Sequence, residues 1–132
     1  MSLSVGVDIV ELDRIRQAIE RHGERFLARI YTAGELDRYR GRLPELAVRL
    51  AAKEAVSKAL GVGLRHISGH GIGWQDVAVL SDPRGKPLLH LSGRAQALAE
   101  EQGLHEWAIS LSHSREYAVA FVVATGSTPG GQ

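Results

Sequence analysis

The sequence predicts an α+β domain in which a small, mainly antiparallel sheet packs on one long helix. Three observations predict it. Strand-like alternation of apolar residues stands at both ends of the chain, in LSVGVDIV and again in WAISLS and YAVAFVVA. One long run of small apolar residues at helical spacing, PELAVRLAAKEAVSKAL, fills residues 44–60. The second half reads strand, turn, strand, helix, strand, turn, strand, the order of two hairpins joined by a helix.

Residues 3–10 form the first strand, with Leu3, Val5, Val7 and Ile9 on one face. Asp13 is placed to cap a helix running to about residue 22, which Gly23 ends or bends. A second helical piece covers about 24–30, and Thr32 caps a third over about 33–40. The long helix has Pro44 in its first turn and Gly61 just past its end at Leu60. A Gly- and His-rich loop, VGLRHISGHGIG, follows. Residues 74–81 and 88–91 make a hairpin across DPRGKP, and Ser92 caps a helix over about 93–102. Residues 107–112 and 117–124 make a second hairpin across SHSRE. No repeat or linker divides the chain, so residues 1–125 read as one domain, and the tail GSTPGGQ, 126–132, is expected to be disordered. The sheet is small, and its Val-, Ile- and Ala-rich strands suit a partner subunit.

Composition narrows the class. The chain has 132 residues, 44% of them apolar and 23% charged, within the range of ordinary globular domains. With no cysteine there is no disulfide or thiolate metal site, and a reducing compartment, the cytoplasm, fits. MSLSVGVDIV has neither a basic segment nor a long apolar run, so it is not expected to act as a signal peptide. Nothing approaches the roughly 18 apolar residues of a membrane span, so no membrane is expected as a partner. A net charge of +1 and an aromatic content of 5% supply no basic, base-stacking surface, so no nucleic acid is expected either.

The segment RLAAKEAVSKALG, residues 49–61, carries four charges in an otherwise small and apolar helix. At about 100° per residue, Arg49 and Lys53 share one flank and Glu54 and Lys58 the other. Between them lies an apolar arc of Val48, Ala51, Ala52, Ala55, Val56 and Ala59, small enough for another backbone to approach closely. Taken alone, the flanks read as solvated edges with a weak Glu54–Lys58 pair, worth roughly 0.2–0.5 kcal/mol.

Asp8 is anomalous in the strand VGVDIV, because an unpaired buried carboxylate costs several kcal/mol. It lies opposite Val5, Val7 and Ile9, beside Gly6, and needs solvent, a cation or a donor. If the long helix crosses the strand, Asp8 and Glu54 can meet. Two carboxylates without a nearby His or Cys suit a hard cation such as Mg²⁺, whose shell is usually completed by substrate phosphates. Lys58 would then stand as a fixed positive charge for those phosphates. The familiar phosphate loops are absent: Pro follows GK in PRGKPL, and GHGIG has no strand before it. His66 and His70 lie in a glycine loop, a poor setting for a metal pair. His113 tops a strand face among Ser110, Ser112 and Ser114, but no nucleophile elbow accompanies it. Arg14, Arg21 and Arg25 fall within about 40° of one another if the first helix passes Gly23 with little bend. They read as a solvated face or as a docking strip for an acidic protein.

Taken together these residues resemble the holo-[acyl-carrier-protein] synthases, the short class of 4′-phosphopantetheinyl transferases. Four blocks carry the resemblance: GVDIVELDRI (6–15), RLAAKEAVSKALG (49–61), GIGWQDVAVLSDPRGKPLLHLSG (71–93) and ISLSHSREYAVAFVVA (109–124). Their order covers roughly residues 3–124. The resemblance implies transfer of 4′-phosphopantetheine from coenzyme A to a serine of apo acyl carrier protein, releasing 3′,5′-ADP, in fatty acid biosynthesis. It implies that Asp8 and Glu54 bind Mg²⁺ with the pyrophosphate, and that Lys58 contacts the pyrophosphate and the transferred phosphoryl group. Glu54 and Lys58 are the catalytic pair; the base for the serine is Glu54 itself or a water on the metal. Arg49, with Lys53 on its flank, and Gly85, Lys86, Pro87 and His113 match positions around the coenzyme's nucleotide. Arg14 matches the arginine that meets the acidic carrier protein, with Arg21 and Arg25 added from the helical stripe. A homotrimer with active sites between subunits is implied as well. Two rivals stand beside this reading: another Mg²⁺-dependent phosphoester enzyme such as a nuclease, and a non-catalytic oligomeric subunit that binds a nucleotide or an acidic partner.

Overall fold

The computed structural model describes residues 2–64 and 71–126. The chain runs β1 (Ser2–Glu11), α1 (Leu12–His22), α2 (Glu24–Ile30), α3 (Ala33–Tyr39) and α4 (Leu43–Leu60). A 3₁₀ turn at Trp74–Asp76 then leads into β2 (Val77–Ser81), β3 (Pro87–Leu91), α5 (Gly93–Glu101), β4 (Glu106–His113) and β5 (Tyr117–Gly126). The predicted α+β class holds, with every pairing within the sheets antiparallel, but the strands form two sheets: β1–β5–β4, and the separate hairpin β2–β3.

Helix α4 is the axis. Its Ala-rich arc lies against β1 and β5, while its opposite side meets α3 and the β2–β3 hairpin. Thirteen of its eighteen residues are buried, including Arg49 and Lys53, which stand inside the protein rather than on a solvated edge. One apolar cluster joins the second half of α4 to Val77, Val79, Leu98, Ala120 and Val122. Another joins its first half to Leu12, Ile15, Leu27, Ile30 and Tyr31. Gly61 closes the helix in the left-handed conformation at φ 76°, where glycine carries no steric penalty.

Several local expectations change. Gly23, at φ 53° and ψ −129°, breaks the first helical run into α1 and α2, so Arg14, Arg21 and Arg25 do not share one straight stripe. Asp13 is not the cap: Glu11 holds that place, and Asp13 pairs with Arg16 and Gln17 in the first turn. Thr32 does cap α3, in a reciprocal box with Glu35. Gly126, expected to open a disordered tail, closes β5 opposite Ser2. The remainder of that tail and the loop holding His66 and His70 lie outside the described residues.

The inner face of β1 is not the apolar one. Leu3, Val5, Val7 and Ile9 are 69, 54, 52 and 61% exposed on the outside of the three-stranded sheet, with Phe121 43% exposed beside them. Gly6 faces α4 instead. A Cβ there would sit 2.0 Å from the Ala55 carbonyl oxygen, so glycine is what lets the strand lie on the helix. Among the described residues no helix is long and apolar enough to cross a membrane.

Candidate active site

The close contact of β1 with α4 brings three predicted residues together. Asp8 follows Gly6 on the inner face, and the Lys58 ammonium donates to Asp8 Oδ1 at 2.8 Å and to the Val7 carbonyl at 3.1 Å. Asp8 is 10% exposed at its side chain, Lys58 56%, so a sheltered carboxylate faces an accessible cation. Asp8 Oδ2 is buried and accepts no hydrogen bond among the described residues. Glu54 lies within hydrogen-bonding reach of Asp8 once one of the two carries a proton. Burial, helped by the Asp8 carboxylate, pushes the Glu54 carboxyl up to about 8 against the opposing pull of Lys58 and Arg14. Glu54 and Lys58 line a cleft of about 510 Å³ together with Ile9, Arg14, Phe26 and Trp74; Asp8 is bonded to Lys58 but is not part of the lining.

A second cleft, of about 720 Å³, lies between the β2–β3 hairpin, β4 and the first half of α4. Here Gly85 and Pro87 meet Arg49 and His113, as the resemblance groups them, and Arg38 and Arg42 add charge that sequence reasoning missed. Gly85 takes φ 90° in a turn that Asp82 holds by accepting from the Arg84 and Lys86 backbone N–H groups, each at 2.9 Å. Lys86 itself is exposed at the turn and does not line the cleft. Arg49 is held in the wall: it donates to the Val79 carbonyl and Glu45 Oε1 at 2.8 Å each, and stacks 3.6 Å from the Tyr39 ring centroid. Burial alone would raise the Tyr39 phenol, but hydrogen bonds with Ser81 and the Arg49 charge outweigh it and pull it down. The two clefts share no lining residue.

Lys53 requires a correction. It does not reach the second cleft; its ammonium is fully buried and donates to Glu35 Oε1 at 2.8 Å, the Trp74 carbonyl at 3.1 Å and the Val77 carbonyl. Burial lowers its affinity for the proton, with Glu35 opposing. Position on a helix flank distinguishes a charge facing solvent from one facing a second layer only when that layer is known. Glu35 gave no signal beyond its capping-box spacing.

The docking arginines divide as the helices do. Arg14 borders the carboxylate cleft, and Arg25 joins His22, Phe26 and Arg29 around a separate basic depression. Arg21 is exposed in the last turn of α1. Phe26 borders both hollows, so basic side chains surround one apolar side chain across the bend.

Comparison with known proteins bears directly on this geometry. A family profile described as the 4′-phosphopantetheinyl transferase superfamily matches residues 4–122. The holo-[acyl-carrier-protein] synthase of Herpetosiphon aurantiacus is 50% identical over 127 residues, covering 94% of this chain and 99% of that protein. That of Chloroflexus aggregans is 47% identical, covering 90% of this chain and 92% of the other. Among solved structures, the Helicobacter pylori holo-[acyl-carrier-protein] synthase in complex with coenzyme A superposes with a TM-score of 0.80 at 29% identity, covering 92% of this chain and 99% of that one. A Bacillus anthracis counterpart, in complex with coenzyme A (3′,5′-ADP), gives a TM-score of 0.74 at 37% identity, over 94% of this chain and 96% of that one.

Proposed function

The chain belongs to the 4′-phosphopantetheinyl transferase superfamily, among the holo-[acyl-carrier-protein] synthases, and from that premise we propose how its residues divide the reaction. The enzyme transfers 4′-phosphopantetheine from coenzyme A to a serine hydroxyl of apo acyl carrier protein and releases 3′,5′-ADP. The observation that carries the residue assignment is the convergence of Asp8, Glu54 and Lys58 where β1 crosses α4. The transferase domain runs through Gly126, the last residue of β5, and its carrier protein is that of fatty acid biosynthesis in the cytoplasm.

The carboxylate cleft fits Mg²⁺. Its donors are oxygen only, and Asp8 Oδ2 is a buried acceptor left for a proton on Glu54 or for a cation. Among the described residues no three ligating side chains cluster, so phosphate oxygens and water would complete the shell, as this cation prefers. When bound, the cation neutralises charge on the pyrophosphate and polarises the phosphorus under attack. Lys58, held by Asp8 and exposed on its other side, stabilises charge on the phosphoryl group in transit and on the leaving phosphate. Glu54 takes the serine proton, directly or through a water. Arg49, Gly85, Pro87 and His113 hold the nucleotide, with Lys86 beside them. Arg14, Arg21 and Arg25 receive the acidic carrier.

The separation of the two clefts supports an interfacial site in a homotrimer: the carboxylates of one subunit would face the nucleotide cleft of the next. The outward apolar stripe of β1 is the surface available for such assembly. The test is to mix the protein with apo carrier protein, coenzyme A and Mg²⁺ and weigh the carrier. A gain of one phosphopantetheine arm is expected. Asp8→Ala and Glu54→Ala should leave the carrier's mass unchanged while their circular dichroism stays native. Near-normal turnover by either folded variant would sink the assignment.

A further inference from the structure

Among the described residues, strand β2 pairs with β3 along one edge and no strand lies beside the other. Side chains from α3 and α4 occupy that open edge instead. The Val77 carbonyl accepts from Lys53. The Val79 N–H donates to Glu35 Oε2 at 2.9 Å, and the Val79 carbonyl accepts from Arg49 Nε at 2.8 Å. The Ser81 N–H donates to the Tyr39 hydroxyl at 3.2 Å, and the Ser81 carbonyl accepts from Arg38 at 2.9 Å. Residues 77, 79 and 81 alternate outward as an edge strand's must, so five side chains stand where a third strand would.

Arg49, Tyr39 and Arg38 also line the nucleotide-side cleft; Lys53 and Glu35 line neither cleft. That leaves the buried pair without a direct role and with a mechanical one. Glu35 binds Lys53, the Thr32 N–H and the Val79 N–H at once, and Lys53 adds the Trp74 and Val77 carbonyls. The bonds to the Trp74 and Val77 carbonyls and from the Val79 N–H tie α3 and α4 to the start of the hairpin whose far end carries Gly85 and Pro87, and the Lys53–Glu35 pair ties the two helices to each other. We infer that Lys53 and Glu35 are positioning residues: they fix the hairpin against α4 and so set the gap between the Gly85 and Pro87 turn and Arg49, where coenzyme A binds. The inference rests on the proposed placing of the nucleotide in that cleft. A shift of even about 1 Å in a positioning wall can cost a large factor in function.

The experiment compares wild type, Lys53→Met and Lys53→Met with Glu35→Gln. The double variant keeps one acceptor oxygen, for Thr32 or for Val79, and buries no unpaired carboxylate, so it tests the idea if Lys53→Met alone fails to fold. Leu98→Ala, a core truncation under α5, serves as the control for lost stability. Each is assayed for both KM values, kcat and calorimetric affinity for 3′,5′-ADP. The expected result is an about tenfold rise in KM for coenzyme A and a matching loss of 3′,5′-ADP affinity, with carrier KM and kcat within about threefold, the signature of lost ground-state binding. Leu98→Ala should lower Tm and leave these constants in place. Unchanged coenzyme A KM and 3′,5′-ADP affinity in the folded variants would overturn the positioning role. His113→Ala separates the two failures. If it weakens 3′,5′-ADP binding while the Lys53 variants do not, only the positioning role is wrong. If it does not weaken binding, the nucleotide lies elsewhere and both readings fall.

Discussion

Asp8 and Glu54 sit close together with a single cation, Lys58, bonded to Asp8. Two carboxylates so placed cannot both ionise cheaply, which is why burial and Asp8 hold the Glu54 proton up to about 8. The consequence for stability has a definite sign. The folded state binds this proton more tightly than an unfolded chain, where the group has its ordinary value of 4.5. Its contribution is therefore complete below about pH 4.5 and is lost as pH rises through 8. In metal-free protein, urea melts from pH 5 to 8.5 should show stability declining by this amount, and Glu54→Gln should remove that decline. An equal slope in the variant would assign the raised carboxyl elsewhere. Added divalent cation should oppose the decline, because it binds the ionised pair in the folded state.

At the scale of elements, the crossing of β1 on α4 depends on one missing side chain. Gly6→Ala would drive a methyl group into the Ala55 carbonyl, so a loss of more than about 4 kcal/mol or failure to fold is expected, measured by thermal melting. An ordinary Tm would mean that the strand can lift from the helix without cost. The bend at Gly23 bears on the carrier surface, since it turns Arg25 away from the line of Arg14 and Arg21. Arg14→Glu should raise KM for carrier protein at least about tenfold more than KM for coenzyme A, as reversal of a docking charge does. Equal changes in both constants would make Arg14 part of the coenzyme site. These elements were largely legible in the sequence: the capping box at Thr32 and Glu35, Pro44 in the first turn of α4 and Gly61 at its end all lie where local chemistry requires them. Gly23 was legible as a breaker, but its direction of bend was not, because a glycine's φ and ψ are chosen by what packs on either side.

For the whole molecule, the separation of the carboxylate cleft from the nucleotide-side cleft yields a complementation test. Glu54→Ala and a variant lacking both Arg42 and His113 should each be inactive alone. If sites form between subunits, co-refolding the two should restore transfer, because some interfaces pair an intact carboxylate cleft with an intact nucleotide cleft. No recovery from a mixture that sedimentation shows to be hetero-oligomeric would place each site within one chain. The exposed row of Leu3, Val5, Val7 and Ile9 is larger than isolated apolar residues on a monomer surface need be.

The sequence by itself determined the α+β class, the order of elements, the outlying character of Asp8 in its strand, and the candidate trio of Asp8, Glu54 and Lys58. Each of those follows from period, propensity and residue chemistry, which are local. Only the tertiary structure decided which charges face inward. Arg49 and Lys53 share a flank four residues apart and both are buried, yet only Arg49 lines a cleft. The difference is made by β2, 24 to 30 residues further along the chain, whose backbone groups outside the hairpin ladder draw both side chains in. A helix flank records that a charge is present; what it answers depends on the element that folds against it.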